Sequence, residues 1–326
     1  MKTLHLNKLI ILLGLFLIST VFSNGANAAC VMESDGTTIK TNTDLTTSGS
    51  VQDDLDPGVG SWTETCDITP DVYQLTFYKI GICTSSTTLN DLSSCQMILD
   101  DATGIVQDVE KGVAGTMSIP EFTVNPGTYP FMVVVMSNKL GMKIAFKTSN
   151  PIDGVSGDTT GGSGTDDSFC WTSVAGPSSM TNENIGSDSV HGATLAANTP
   201  MIDCDDEAYG TAVFSYEVVP KFSDMDCTAA FADFGDRTSF DNEFNGIPTV
   251  SLLTTADAFA TTCKNAAKIL WTTTLTSPYT VTENSSFSLN IKATNANALT
   301  FSDGGSDNNV IKLSSMAPKL YLTVTN

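Results

Sequence analysis

Bases are scarce in this chain. It holds 2 histidines in 326 residues, and one of them, His5, lies in an N-terminal segment built like an export signal. A Ser-His-Asp triad needs a base near neutral pH beside its nucleophile, so only His191 could serve. His191 falls in the polar stretch from Asn184 to Asn198, and no Gly-x-Ser-x-Gly elbow exists, so it reads as a loop residue. Lysine and arginine total 15 against 36 aspartates and glutamates. Such a surface repels phosphate backbones and anionic headgroups, which excludes nucleic acid as a partner and favours solubility and attraction of cations.

Close cysteine pairs are missing too. The shortest spacing is the 12 residues from Cys83 to Cys95, so neither a Cys-x-x-Cys redox pair nor a structural zinc site is available. The glycine-rich run Gly161-Gly162-Ser163-Gly164 lacks the Gly-Lys-Ser/Thr ending and the preceding strand of a phosphate cradle. The 36 acids offer many carboxylate pairs for sugar hydrolysis. They cluster, however, in runs such as Asp53-Asp54-Leu55-Asp56, Asp203-Cys204-Asp205-Asp206-Glu207 and Asp224-Met225-Asp226, the pattern of solvated loop charge. No enzymatic activity is expected.

One long apolar run is present, and it comes first. Lys2 and Lys8 precede Leu9 to Phe22, and Ala26-Asn27-Ala28 supplies a small-x-small cleavage site, so residues 1–28 are expected to be a secretory signal. The run is shorter than the ~20 residues of a spanning helix. Removing the segment takes two lysines and no acid, which deepens the net charge from −21 to −23. A lipidated Cys30 is the alternative, against which Asn27 stands where a lipobox carries leucine. The expected location is secreted, extracellular or at the cell surface, with a periplasm as a further option, and no stable membrane span remains after cleavage.

All eight cysteines (Cys30, Cys66, Cys83, Cys95, Cys170, Cys204, Cys227 and Cys263) follow the signal. An even number in an exported chain predicts a disulfide framework. Sequential pairing, 30–66, 83–95, 170–204 and 227–263, is the simplest of the possible arrangements.

A period of two dominates the rest. Met142, Ile144 and Phe146 alternate with polar or small residues up to Thr148, as do Phe287, Leu289 and Ile291, and Leu320, Leu322 and Val324. Tyr209 to Pro220 places Ala212, Phe214, Tyr216 and Val218 on one side. Thr128 to Ser137 is apolar on both faces and predicts a central strand covered on both sides. From Tyr73 to Ile82 the apolar phase changes, which predicts a β-bulge near Tyr78-Lys79. Helical spacing is confined to Ala256, Phe259, Ala260, Cys263 and Ala267, where one short helix is expected. Ser302 to Asn309, between Phe301 and Val310, reads as a hairpin loop.

The fold class is therefore all-β: one or two antiparallel β-sandwich units stapled by disulfides, with a loop-rich insertion. Residues 29–220 form a sandwich carrying that insertion at 149–208, and 221–326 form either a second β-rich unit or the completion of the same sandwich. The strand from Tyr73 to Ile82, the turn Pro126-Gly127-Thr128-Tyr129 leading into an apolar strand, and a following hairpin strand at Lys139 to Thr148 carry a resemblance. Over residues 68–148 the chain resembles secreted bacterial β-sandwich domains of a prealbumin-like kind. The resemblance implies a sandwich and an extracytoplasmic surface role, and it carries no catalytic residue across.

Calcium is the one ion with donors in candidate form, since hard cations want clustered oxygens. Asp203, Asp205 and Glu207 have alternate spacing, but Ala208 occupies the EF-hand glycine position. Gly161 to Asp166 matches one copy of a Gly-Gly-x-Gly-x-Asp repeat whose solenoid needs several. Otherwise no cofactor is expected. Trp271, inside the apolar run Ile269 to Leu275, is expected in the core; Trp62 and Trp171, beside Cys66 and Cys170, are expected to pack on disulfides or, alternatively, to stack on sugars.

The leading expectation is a non-enzymatic surface or extracellular structural protein, in its sharper form a filament or surface-layer subunit that self-associates. The second is a secreted module binding a surface glycan or small ligand, with calcium assistance. If the leader is cleaved as read, the exported polypeptide begins at Ala29. Intact mass and N-terminal sequencing of secreted material check this, and a start at Met1 contradicts it.

Overall fold

The computed structural model describes residues 29–40, 63–87, 91–118, 124–149, 169–173, 202–205, 208–218, 246–260, 265–294, 296–303, 309–315 and 318–326. Among these residues the regular structure is all strand. The first six strands are β1 (Thr38–Ile39), β2 (Thr63–Ile68), β3 (Val72–Cys83), β4 (Cys95–Glu110), β5 (Gly115–Ser118) and β6 (Gly127–Ser137). Next come β7 (Lys139–Lys143), β8 (Ala145–Thr148), β9 (Phe169–Thr172), β10 (Ile202–Asp205), β11 (Ser215–Val218) and β12 (Gly246–Leu253). The last five are β13 (Lys268–Val281), β14 (Ser286–Lys292), β15 (Asn297–Asp303), β16 (Asn309–Ser315) and β17 (Lys319–Thr325).

β3 organises the largest sheet. It pairs with β4 on one side and with β6 and β7 on the other, all antiparallel. Its apolar residues change phase as the sequence predicts: Tyr73, Leu75 and Phe77 are fully buried, and so are Ile80 and Ile82. The register slips between Phe77 and Lys79 against both neighbours, so an extra residue at Tyr78 turns both apolar sets toward the core. On the β4 side the slip leaves residues 101–104 opposite that point. There the Asp101 carboxylate accepts hydrogen bonds from the Thr103 N–H and O–H and the Gly104 N–H, and Gly104 takes a positive φ of 84°.

β6 is the central strand its composition requires. Met132, Val134 and Met136 enter the main core, and Val133 and Val135 enter a smaller cluster on the other face with Cys83, Leu253 and Leu270. The hairpin expected after it is absent. Phe77 pairs with Met136 and Gln74 with Gly141, so β6 and β7 continue one path along β3, bent at Asn138. Buried Asn138 fixes the bend: its N–H reaches the Ala267 carbonyl and its Nδ2 the Ala266 carbonyl. Beyond the bend β13 holds the far edge of β6, while β11 holds that of β7.

The expected strand from Met142 to Thr148 also crosses between sheets. Met142, Ile144 and Phe146 are buried as their alternation predicts, but Ile144 stands outside both strands. Its N–H donates to Thr172 Oγ1 and that of Ala145 to Asp71 Oδ2, after which β8 joins a four-stranded sheet in the order β1-β8-β9-β10. Strands that change sheets in this way make the corners of packed sheets.

Two smaller sheets complete the core, β17-β14-β5 and β16-β15-β2. Leu289, Ile291, Leu320 and Leu322 from the first, and Ile68, Leu299 and Leu313 from the second, share one buried cluster with β3 and β6. Strands after residue 246 thus pair with strands before residue 138: β13 with β6, β14 with β5 and β15 with β2. β15 and β16 form the expected hairpin, with Asp303 opposite Asn309. Trp271 is in the core at 1% exposure.

Three sequential disulfides are present, Cys30–Cys66, Cys83–Cys95 and Cys170–Cys204. The second and third join residues directly opposite in paired strands, β3 with β4 and β9 with β10. Cys227 and Cys263 lie outside the described residues. For loops of the Cys30–Cys66 and Cys170–Cys204 length the chain-entropy model gives roughly 3–4 kcal/mol each.

Two expectations give way. No α-helix forms in the described part of Ala256 to Ala267, where Asn265 alone has 3-10 backbone. Instead Thr254 accepts from Asp257 and donates to Ala258, Asp257 adopts φ 60°, and Phe259 bridges back to Leu253. Aspartate tolerates that left-handed backbone because its short side chain bonds locally. β11 covers only Ser215 to Val218 of the stretch expected as strand, and Ser215 and Glu217 are as deeply buried as Val218. Tyr216, paired opposite Gly141, faces outward over it, with its hydroxyl donating to Gln74 Oε1. Glu217 accepts the Ser315 N–H, and it adds to burial in pushing the Tyr73 phenol pKa well up.

Gly141 is therefore a packing position. A Cβ there would stand 2.8 Å from Tyr216 Cε1 and 3.0 Å from Gln74 Cβ. Gly141→Val is expected to destabilise by about 1–3 kcal/mol, the usual cost of overpacking. Urea unfolding measures it, and an unchanged midpoint would contradict the packing.

Candidate functional site

Three places bring chemistry-bearing side chains together. The first lies on the outer face of the large sheet, where Asp257 at its turn receives Lys268 at 2.6 Å and Lys79 at 2.7 Å. Lys268 also lies over the Tyr78 ring, 4.5 Å from its centroid. Partial burial raises the Asp257 pKa, but the hydrogen bonds from Lys268 and Lys79 outweigh it and hold the carboxyl below its ordinary 3.8. The hydrogen bond to Asp257 likewise raises the Lys79 pKa above 10.5. A carboxylate shared by two ammoniums is a poor base, and a lysine held protonated is a poor nucleophile. This cluster pins the turn to β3 and β13.

The second place surrounds β9 and β10. Phe169 meets Tyr209 edge-on with centroids 5.0 Å apart, and Lys147 sits 4.6 Å above Phe169. Tyr209 is 46% exposed, and burial, then Asp35, then Asp71 push its phenol pKa up. Trp171 alternates with Cys170 along β9 and is buried. A Cβ on Gly210 would overlap its indole, so the ring packs on that bare backbone. Its face is used for packing, which leaves Tyr209 as the exposed aromatic, with Phe169 half-buried beneath it.

Of the calcium candidates, Asp203 and Asp205 occupy alternate positions of β10, opposite Trp171 and Phe169. Glu207 and Asp166 lie outside the described residues, as do His191 and Trp62. Among the described residues no three His, Cys, Asp or Glu side chains are grouped to hold a metal ion.

The third place is a pocket that no sequence motif marks. Its volume is about 280 Å³, and its lining includes Thr69, Glu110, Val113, Lys292, Thr294 and Lys319. β4 ends at Glu110 and turns through Gly112, at φ 74°, before β5 begins. The Val113 N–H bonds the Glu110 carbonyl and the Lys111 N–H bonds the Asp71 carbonyl, so the turn forms one wall. The opposite wall is the end of β14 and the start of β17, where Lys292 and Lys319 are direct cross-strand partners. The signal in the sequence would have been two lysines in a lysine-poor chain, but they stand far apart and only the β14–β17 register joins them.

Lys319 also opens β17, whose single partner among the described residues is β14. Pocket and sheet edge thus share a residue. Among the described residues no helix is long and apolar enough to cross a membrane. No family model, curated protein or solved structure matches this chain.

The Asp257 cluster gives a pH-dependent test. Its folded pKa lies below the unfolded one, so its contribution is complete above the unfolded value and is lost as pH falls through the folded value. Asp257→Asn keeps a residue suited to the left-handed backbone while removing the charge. It is expected to lower stability at pH 7 by about 1 kcal/mol or less, given its partial exposure. The gap to wild type closes as the pH drops below 3.8. Thermal melts across pH check this, and a gap constant from pH 7 to 2 would contradict it.

Proposed function

We propose that this chain is a non-enzymatic, exported structural protein of the cell surface or extracellular space, assembled by strand addition at a sheet edge. Three cross-links fit an oxidising compartment, since disulfides persist there and are rare in reducing ones. The observation that carries the assembly reading is the edge at β17.

An unpaired edge is a template for another strand, and proteins blunt most of theirs. Here β4 is broken by the Asp101–Gly104 bulge and carries Asp100, Asp101, Asp108 and Glu110. β12 contains Pro248, β16 has Lys312 at its centre, and β2 carries Glu64 and Asp67. β1, β5, β10 and β11 have at most four residues each. β17 has seven, Lys-Leu-Tyr-Leu-Thr-Val-Thr, with no proline, glycine or acid and one charge at its start. Leu320 and Leu322 hold it to the core, while Thr323 and Thr325 are exposed. Added strands gain main-chain hydrogen bonds there.

Light scattering of the oxidised protein tests the reading. Wild type is expected to form assemblies well above the single-chain mass. Thr323→Lys/Thr325→Lys, which sets two like charges on exposed positions of the edge, is expected to weaken association by about tenfold, or 1.4 kcal/mol. Strict monomer in wild type would overturn the proposal, and so would undiminished assembly of the double variant.

A further inference from the structure

We infer that the strand added at β17 is the β17 of a second copy of this chain, running antiparallel and centred on Leu322, so that two three-stranded sheets become one of six strands. The inference rests on the assembly reading above and names the partner within it.

A donor strand needs a usable edge of its own. Every other edge among the described residues is short, bulged, charged or interrupted by proline, so the strand of this chain best able to pair with β17 is another β17. Charge points the same way. Copies of net charge −21 repel one another, and they approach best where acids are absent. The sheet β17-β14-β5 is the only one among the described residues whose strands contain no aspartate or glutamate. The other three carry acids, among them Asp203 and Asp205 on β10, Asp108 on β4 and Glu64 on β2.

Symmetry then fixes direction and register. Leu320 and Leu322 are buried in the core and Val324 packs against it, while Thr323 and Thr325 are exposed. A two-fold axis perpendicular to the sheet sets two β17 edges antiparallel and keeps both core faces on one side. An axis along the strands makes the pair parallel and turns one sheet over, so the leucine row of one copy runs into the exposed threonines of the other. Directly opposite residues point to the same face, so the axis passes through a residue position. Leu322, the middle of the seven, is the centre that pairs the whole strand. Tyr321 then lies opposite the second copy's Thr323, and Leu320 opposite its Val324. The two Lys319 positions stand about 20 Å apart along the strands, which keeps their like charges separate.

The outer face supplies an independent observation. A hydrogen-bonded row crosses the sheet to this edge: Thr116 Oγ1 donates to Asn290 Oδ1, and Asn290 Nδ2 donates to Thr323 Oγ1. The row ends at exposed Thr323. In this register the next side chains beyond it are the second copy's Tyr321 and, diagonally, its Thr323, both bearing hydroxyls, so the row continues across the axis.

A two-fold contact closes on itself, so light scattering of the oxidised full chain is expected to give twice the single-chain mass. A mixture of isotope-labelled and unlabelled chain reports the register, because filtered NOEs then arise only between copies. Contacts of Tyr321 with Thr323 and of Leu320 with Val324 are expected. Thr323→Lys, at an exposed position, sets two new lysines diagonally across the axis and is expected to weaken pairing roughly threefold. A strict monomer overturns this inference and the assembly reading together. An assembly whose β17 contacts a different segment, or itself in parallel with Tyr321 against Tyr321, overturns this inference and leaves strand addition standing. So does pairing that Thr323→Lys does not weaken.

Discussion

The structure depends on covering one path of chain on both of its faces. Residues 127–148 run through β6, the bend at Asn138, β7 and on into β8, and their side chains alternate between two buried surfaces for much of that length. Burying a large apolar side chain is worth roughly 1.5–3 kcal/mol, so leaving either face open would forfeit several such terms at once. The inner face collects β14, β15, β16 and β17 around Met132, Val134 and Met136. The outer face collects the Cys83–Cys95 end of the β3–β4 pair, Leu253, Leu270 and the Asp257 turn. Other elements are placed by which side of this path they cover.

Charge is distributed by the same constraint. Sheets covered this fully leave acids little room except at edges and loops, where they repel other strands as well as other molecules. Asp101 serves twice, bonding its own bulge and interrupting the edge of β4. Asp257 is the exception that proves useful, since its two lysines turn a surface carboxylate into a clamp between β3 and β13. Lys292 and Lys319, half-buried and directly opposite on β14 and β17, then stand out in a chain with few cations.

Much of the fold was legible because its signals are local. Apolar residues on both faces of Thr128 to Ser137 announce a central strand, and the phase change between Phe77 and Ile80 announces the bulge. The all-β class follows from period, and the three described disulfides are those of the simplest, sequential arrangement. What escaped the sequence is non-local. Ser137-Asn138-Lys139 reads as a turn, and only the backbone carbonyls of Ala266 and Ala267 make it a bend within a continuing path. Tyr216 reads as a core residue until Gly141 is placed opposite, which lets the ring lie outside and sends Glu217 inward. The series from Ala256 to Ala267 has helical spacing, yet Phe259 gains more by bridging to Leu253 and packing on the outer face. The pocket was invisible for the same reason, since Glu110, Lys292 and Lys319 come from three strands whose registers no pattern declares.

The interleaving of early and late strands bears on how such a chain comes to be folded. β2 waits for β15, β5 for β14, and β6 for β13, so the first half cannot close its sheets until most of the polypeptide has emerged. Contacts of such long sequence separation slow folding, because loop entropy is lost before the contacts reward it. Meanwhile β6 stands with one bare edge, and β3 and β6 with uncovered apolar faces, the state in which intermediates aggregate. The local closure of Cys83–Cys95 gives the β3–β4 ribbon a covalent anchor while it waits for its later partners.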